Sequence, residues 1–283
     1  MNIKGVIYTV QSNWWDDKED PDQIGAQFVR LLDRIESAVP VKTVWLIPDF
    51  ANVDVRAGPD MEEPAKMFLE DARTDIAALV ERNDIKDEDG STDPRNGYRL
   101  FARGTEDGGE FGSSWSIDVH IHAGSQWDNE VDFGVGSLLN FPDPDLVTYP
   151  IYRGALEAMA STFPCPYAWA KYYVSTEVEW IPTSTGGERA PPSEPSDIFD
   201  GIWIAYLSSA LATGFTPPAD LFPEPTPGGG LILSAVKDHI DPTNPDHVRR
   251  SKILGAIMTT QAARPSHLGK IYPGHFPPRV GPY

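Results

Sequence analysis

The sequence has 283 residues, 40% hydrophobic and 23% charged, with a formal net charge of −19 at pH 7. That length is enough to bury a sizeable core, and no apolar run approaches the roughly 18 to 20 residues of a membrane span. The acidity argues against nucleic acid as a partner because phosphate is repelled, and a single cysteine, Cys165, excludes an internal disulfide framework and a cysteine zinc site.

The start, "MNIKGVIYTV", is too short and too alternating for a signal peptide, so a cytoplasmic protein is expected. Within it Ile3 to Val10 alternates as a strand does. After the polar stretch "QSNWWDDKEDPD", Ile24, Phe28, Leu31, Leu32 and Ile35 recur at helical spacing. Asp20 caps that helix, Pro21 takes its first position, and Pro40 stops it. "VKTVWLIPDF" reads as a second strand. Phe68, Ala72, Ile76, Leu79 and Val80 then predict one helix from about Pro64 to Arg82, followed by the polar loop "NDIKDEDGSTDPRNG". Three strands come next, Gly97 to Arg103, Ser114 to Ala123 and Glu130 to Leu138, joined by stretches rich in Gly, Asp and Asn.

A third helix begins near Val147, with Ile151, Ala155 and Met159 at steps of four, and "FPCP" ends it. "YAWAKYYVS" reads as a strand and "IPTSTGGERAPPSEPS" as a loop without period. "GIWIAYLSSALATGF" fits two patterns: Trp203, Tyr206, Leu207 and Ala210 suit a helix, whereas Ile202, Ile204 and Tyr206 suit a strand. "GGGLILSAV" is a short buried strand. "DPTNPDHVRRSKILGAIMTTQ" is a helix with Asn244 at the cap and Pro245 and Asp246 in its first turn. Leu231, Leu233, Leu254 and Ile257 are expected in the core. The Pro-rich tail, 265–283, belongs at the surface. Interspersed helices and strands, with a strand meander in the middle, predict an α+β fold: a mostly antiparallel sheet flanked by helices. The chain reads as a single domain over 1–283, with 142–145 as the candidate break between subdomains.

The stretch "WSIDVHIHAGSQW" raises the question of metal chemistry. Residues two apart share a face of a strand. Ser116, Asp118, His120 and His122 therefore share one side, and Ile117, Val119, Ile121 and Ala123 the apolar other, as in a half-buried antiparallel strand. A metal-dependent hydrolase using His120, His122 and Asp118 is the alternative reading. It needs further ligands from elsewhere, and His239, His247, His267 and His275 fall in no ligand motif. No cofactor and no tightly bound metal are expected. Gly228 to Gly230 precede a strand, the reverse of a phosphate cradle, and neither G-x-S-x-G nor H-E-x-x-H occurs. Cys165, between two prolines, reads as a buried, inert thiol.

"NWWDDKED" is of another kind. Tryptophan beside carboxylates is a common interface pairing, in which the ring supplies anchor area. Trp14, Trp15, Asp16, Asp17, Glu19 and Asp20 are therefore candidate residues for binding a protein. The competing reading closes a tryptophan over the first helix as core and leaves the acids as a solvated turn. The charge is unevenly placed. Residues 1–110 hold 24 Asp and Glu against 13 Lys and Arg, residues 111–200 hold 13 against 3, and residues 201–283 hold 5 against 7. Such a field attracts a basic partner and speeds encounter.

In the C-terminal third, "GIWIAYLSSALA" is followed by "PGGGLILSAVKDHIDPTNPDHVRRSKILGAIM", and earlier a helix leads into "FPCPYAWA". These stretches resemble the immunity protein 52 family of bacterial polymorphic toxin systems. The likeness rests on Trp203 and Tyr206, on Gly229, Gly230, Leu231 and Ile232, and on Asn244, Pro245 and His247. It departs at the Pro-rich 182–195 and at the loops 84–96 and 104–112, and its motifs are structural. The resemblance implies a cytoplasmic α+β protein without enzymatic activity. Such a protein neutralises a cognate secreted toxin, usually a nuclease, often one delivered by type VI secretion. An acidic inhibitor suits a basic nuclease because it occupies the surface meant for DNA.

Overall fold

The computed structural model describes residues 5–14, 20–49, 65–85, 97–108, 115–125, 129–135, 145–175 and 199–262. Within them lie ten strands: β1 (Gly5–Trp14), β2 (Val44–Asp49), β3 (Ala65–Phe68), β4 (Tyr98–Thr105), β5 (Ile117–Ala123), β6 (Asn129–Val135), β7 (Tyr167–Ser175), β8 (Ile202–Leu207), β9 (Phe222–Pro225) and β10 (Leu231–Ser234). The helices are α1 (Pro21–Ala38), α2 (Leu69–Ala72), α3 (Ile76–Arg82), α4 (Tyr149–Thr162), α5 (Ser209–Ala212) and α6 (Pro245–Ala262). The strands form one sheet in the order β3-β2-β4-β5-β6-β1-β7-β8-β10-β9. Every described pairing is antiparallel. The fold is α+β, a sheet flanked by helices.

Local chemistry explains the best-formed elements. The Asp20 carboxylate accepts the Gln23 N–H at 2.8 Å, which satisfies one of the orphan donors at the start of α1. Pro21 loses nothing at a position whose N–H has no partner. Ile24, Phe28, Leu31, Leu32 and Ile35 then form the buried stripe. At α6 the Asn244 side chain accepts the Asp246 N–H at 3.0 Å, as the cap reading expects.

The two faces of the sheet differ. Val10, Ser12 and Trp14 of β1 are buried on the side where α4 lies, and Tyr152 of α4 donates to the Tyr8 carbonyl at 3.3 Å. Helix α1 lies beside α4, and Gly154 makes the approach possible, since a Cβ there would sit 2.4 Å from that of Ala38. Helix α3 closes on α1 at Gly25, through Ile76. Tyr167 and Trp169 alternate to the other face. There Phe199 meets the Trp169 ring at 5.2 Å, edge-on, and α6 rests on the Phe199 carbonyl through Gly255.

Two segments depart from the sequence pattern. The helix predicted from Pro64 to Arg82 is strand β3 followed by the short helices α2 and α3, separated at 73–75. Ala65–Phe68 completes the ladder of β2, with Phe68 opposite Leu46, and that partner is invisible to a count of helical spacing. Strand β9 is unforeseen because Pro223 and Pro225 argue against a strand. Thr226 N–H donates to Gly230 at 2.9 Å, and alternation from that bond turns both proline nitrogens to the outer edge, where no donor is needed. The ambiguous 202–214 divides into β8, buried on both faces, and α5.

Leu233 and Leu254 are fully buried, whereas Leu231 and Ile257 pack on the core half-buried. Leu254→Ala should therefore cost about 2 to 5 kcal/mol, and Ile257→Ala clearly less. Urea unfolding midpoints of the two variants check the order, and an equal loss contradicts the placement of α6.

Candidate functional site

The sequence candidates fall in two places. At the end of β1, Trp14 is wholly buried, and its ring stacks on Phe163 at 4.3 Å. This corrects its reading as an interface residue: the indole fills the space between the sheet and the end of α4. Trp15, Asp16, Asp17 and Glu19 lie outside the described residues. Asp20 is exposed and already serves as the cap of α1. It also belongs to an acidic surround. Burial first, then the carboxylates of Asp84, Glu81 and Asp20, raise the pKa of the half-buried Tyr98 hydroxyl. The chain beneath that ring turns at Gly124, with φ +75°, where a Cβ would meet Ile24 at 3.0 Å and Tyr98 at 3.1 Å.

The second place is the polar face of the sheet. Register aligns two transverse rows across five strands. One is Phe101, His120, Asp132, Gln11 and Trp169; the other is Arg103, Asp118, Gly134, Thr9 and Lys171. His120 and His122 share this face, and Ile117, Val119, Ile121 and Ala123 are buried on the other, as alternation predicts. Arg103 binds both oxygens of Asp118, at 2.8 and 3.2 Å. The Phe101 ring stands 4.5 Å from that of His120. The exposed edge of His120 does not offset this crowding: desolvation lowers its pKa below the usual histidine value. Arg103 and Arg99 act the same way, and Asp118 opposes them. Gln11 donates to Asp132 at 2.5 Å.

Lys171 is the unexpected member. It is 6% exposed. Desolvation lowers its pKa from 10.5 to about 8, with Asp132 acting in the opposite direction. The strand "YAWAKYYVS" contains it plainly, but only the register of three strands brings it beside Asp132 and Gln11. No sequence spacing gives that register.

Among the described residues no three His, Cys, Asp or Glu side chains gather as a metal would require. Asp118 is engaged by Arg103. His239 lies 3.1 Å from both the Tyr8 hydroxyl and the Val147 carbonyl oxygen, and His247 accepts the Asp241 N–H at 3.1 Å. His267, His275 and the tail 265–283 lie outside the described residues, as do the stretch 182–195 and most of 142–145. Cys165 is buried, and burial pushes its thiol up to about 11, so little thiolate forms at neutral pH. No described helix is long and apolar enough to cross a membrane.

No family model matches the chain, and no curated protein matches it. Among solved structures it is similar to the Pseudomonas aeruginosa T6SS protein PA0821. The identity is 13%, the TM-score 0.47, and the match covers 90% of this chain and 73% of that one.

The lysine supplies a test of the polar face. A folded pKa below the unfolded one means that the unfolded chain binds more protons between about 8 and 10.5, so stability rises with pH across that window. Below it the buried charge carries its full cost. Lys171→Met should stabilise by about 1 to 3 kcal/mol at pH 7, and the gain should shrink as pH rises from 8 towards 10.5. Unfolding midpoints across that range check it. A destabilised variant at pH 7 contradicts the assignment.

Proposed function

We propose that this chain is an immunity protein: it binds a cognate, basic secreted toxin and neutralises it by occupying its working surface, without catalysis. The observation that carries the reading is where the exposed acid lies. Asp20, Asp22, Glu70, Asp71, Asp75, Glu81, Glu106 and Asp107 are all exposed in the part of the molecule built from residues 20–108, and Asp20 and Glu81 act together on Tyr98. Arg30, Arg34, Lys42, Arg82 and Arg99 are exposed in the same part, so acid is in excess there rather than alone, and it is the net acidity of the chain, −19, that steers a basic partner, raises its association rate and repels nucleic acid. The motif likeness at Trp203, Tyr206, Gly229, Gly230, Asn244 and His247 agrees with the same class. A nuclease is the toxin that this charge suits best, because its DNA-binding surface is basic. A cytoplasmic site of action fits that role. The hydrolase reading is disfavoured by Asp118, whose carboxylate both faces Arg103 and is bound by it.

The test uses the toxin domain encoded by the neighbouring gene. Association should approach about 10⁸ per molar per second at low salt and fall steeply at physiological ionic strength. Charge reversal at Asp22 and Glu81 should slow association by about tenfold and leave dissociation nearly unchanged. A salt-indifferent association rate contradicts the electrostatic account. Absence of binding by the folded protein to that toxin contradicts the immunity reading.

A further inference from the structure

Two large apolar side chains are exposed among the described residues: Phe68 at 48% and Phe222 at 38%, one on each edge strand of the sheet. The chain treats them differently. Over the Phe222 ring stand two of its own cations, Arg250 at 5.5 Å and Lys237 at 5.9 Å from the centroid. Over Phe68 no described cation stands. Its ring instead reaches Gly108, where a Cβ would sit 3.0 Å from the Phe68 edge and 3.1 Å from Val44. Gly108 follows the exposed Glu106 and Asp107 directly, and Phe68 is followed within three residues by the exposed Glu70 and Asp71. Glu70 keeps 82% of its side chain exposed while meeting Arg73 at 3.3 Å. An exposed aromatic ring thus lies close in sequence to carboxylates of two chain segments that meet at Gly108, with Lys66 two residues away on the same face of β3.

We propose that Phe68 is the aromatic anchor of the toxin-binding surface and receives an arginine of the partner. The guanidinium lies flat on the ring, and its N–H groups reach carboxylates of these segments. This rests on the immunity reading and names the site within it. Arginine suits the position better than lysine because its planar, weakly hydrated cation stacks on a ring while presenting several donors outward. Phe222 is the internal template: the same ring, on the opposite edge, is covered by Arg250 of this chain. A second copy of this chain is a poor occupant, since its own acidic residues would face Glu70, Asp71, Glu106 and Asp107. With Trp14 in the core, Phe68 is also the exposed ring that the described acidic half offers as an anchor.

The probe is a synthetic peptide of four arginines alternating with valines, with a control in which citrulline, the neutral isostere, replaces arginine. Phenylalanine-labelled protein is titrated by NMR, and affinity is read by fluorescence anisotropy. The arginine peptide should shift the Phe68 ring resonances and bind wild type about tenfold more tightly than Phe68→Ala. Phe68→Trp should retain or improve binding, Phe222→Ala should match wild type, and the citrulline peptide should bind at least tenfold more weakly. Binding that is indifferent to Phe68→Ala, equal for the two peptides, or absent in wild type overturns the proposal. The peptide requires no toxin, so that failure leaves the immunity reading standing. Failure to bind the neighbouring toxin removes the immunity reading whatever the peptide does.

Discussion

The structure depends on one strand that is hydrogen-bonded along both edges. β1 pairs with β6 over Thr9–Trp14 and with β7 over Gly5–Asn13, which joins five strands on one side to four on the other. Its alternation also sorts the molecule. Tyr8, Val10, Ser12 and Trp14 go under α4 into the core, while Thr9 and Gln11 join the polar rows of the opposite face. A slip of one residue in its register would exchange those two sets, expose a tryptophan and bury a glutamine, so burial fixes the register.

The layer on β1 is held by close approach more than by charge. Gly154 lets α4 come against α1 at a distance that a Cβ would not permit, and Gly25 eases the close contact of α3 through Ile76. Polar contacts are concentrated where the last strands join. Glu224 of β9 binds Lys237 at 2.5 Å and Arg153 of α4 at 3.1 Å, and takes the Tyr149 hydroxyl at 3.2 Å. Lys237 first, then Arg153, lower the Glu224 pKa below the usual value. Exposed pairs of this kind contribute little singly, but here one carboxylate connects an edge strand, a loop and a helix. With prolines blocking its outer backbone, β9 is closed to further pairing.

Much of this was legible where the determinants are local. Asp20, Pro21 and the stripe from Ile24 to Ile35 define α1; Asn244 and Pro245 define the start of α6; alternation from Ile117 to Ala123 answers the histidine question. The reading failed where the deciding contact is distant. Ala65–Phe68 is a strand because β2 is beside it, and Phe222–Pro225 because its prolines face outward. Trp14 could belong to core or interface until Phe163, 149 residues away in sequence, was placed against it. Lys171 looked ordinary until three strands brought Asp132 near it. Composition gave the acidity of the first two thirds, but not that an exposed ring, Phe68, stands on the edge strand of that part.

A basic partner is expected to meet the acidic half built from residues 20–108, where Phe68 continues the row of Arg103 and Asp118 through Leu46, and to leave residues 199–262 uncovered. Zero-length carbodiimide cross-linking to the neighbouring toxin domain, read by mass spectrometry, tests that claim most directly, because it joins only a carboxylate and an amine already in contact. The account predicts cross-links from toxin lysines to Glu70, Asp71, Glu106, Asp107 or Glu81. Cross-links confined to carboxylates of residues 199–262, such as Asp238 or Asp246, would contradict it.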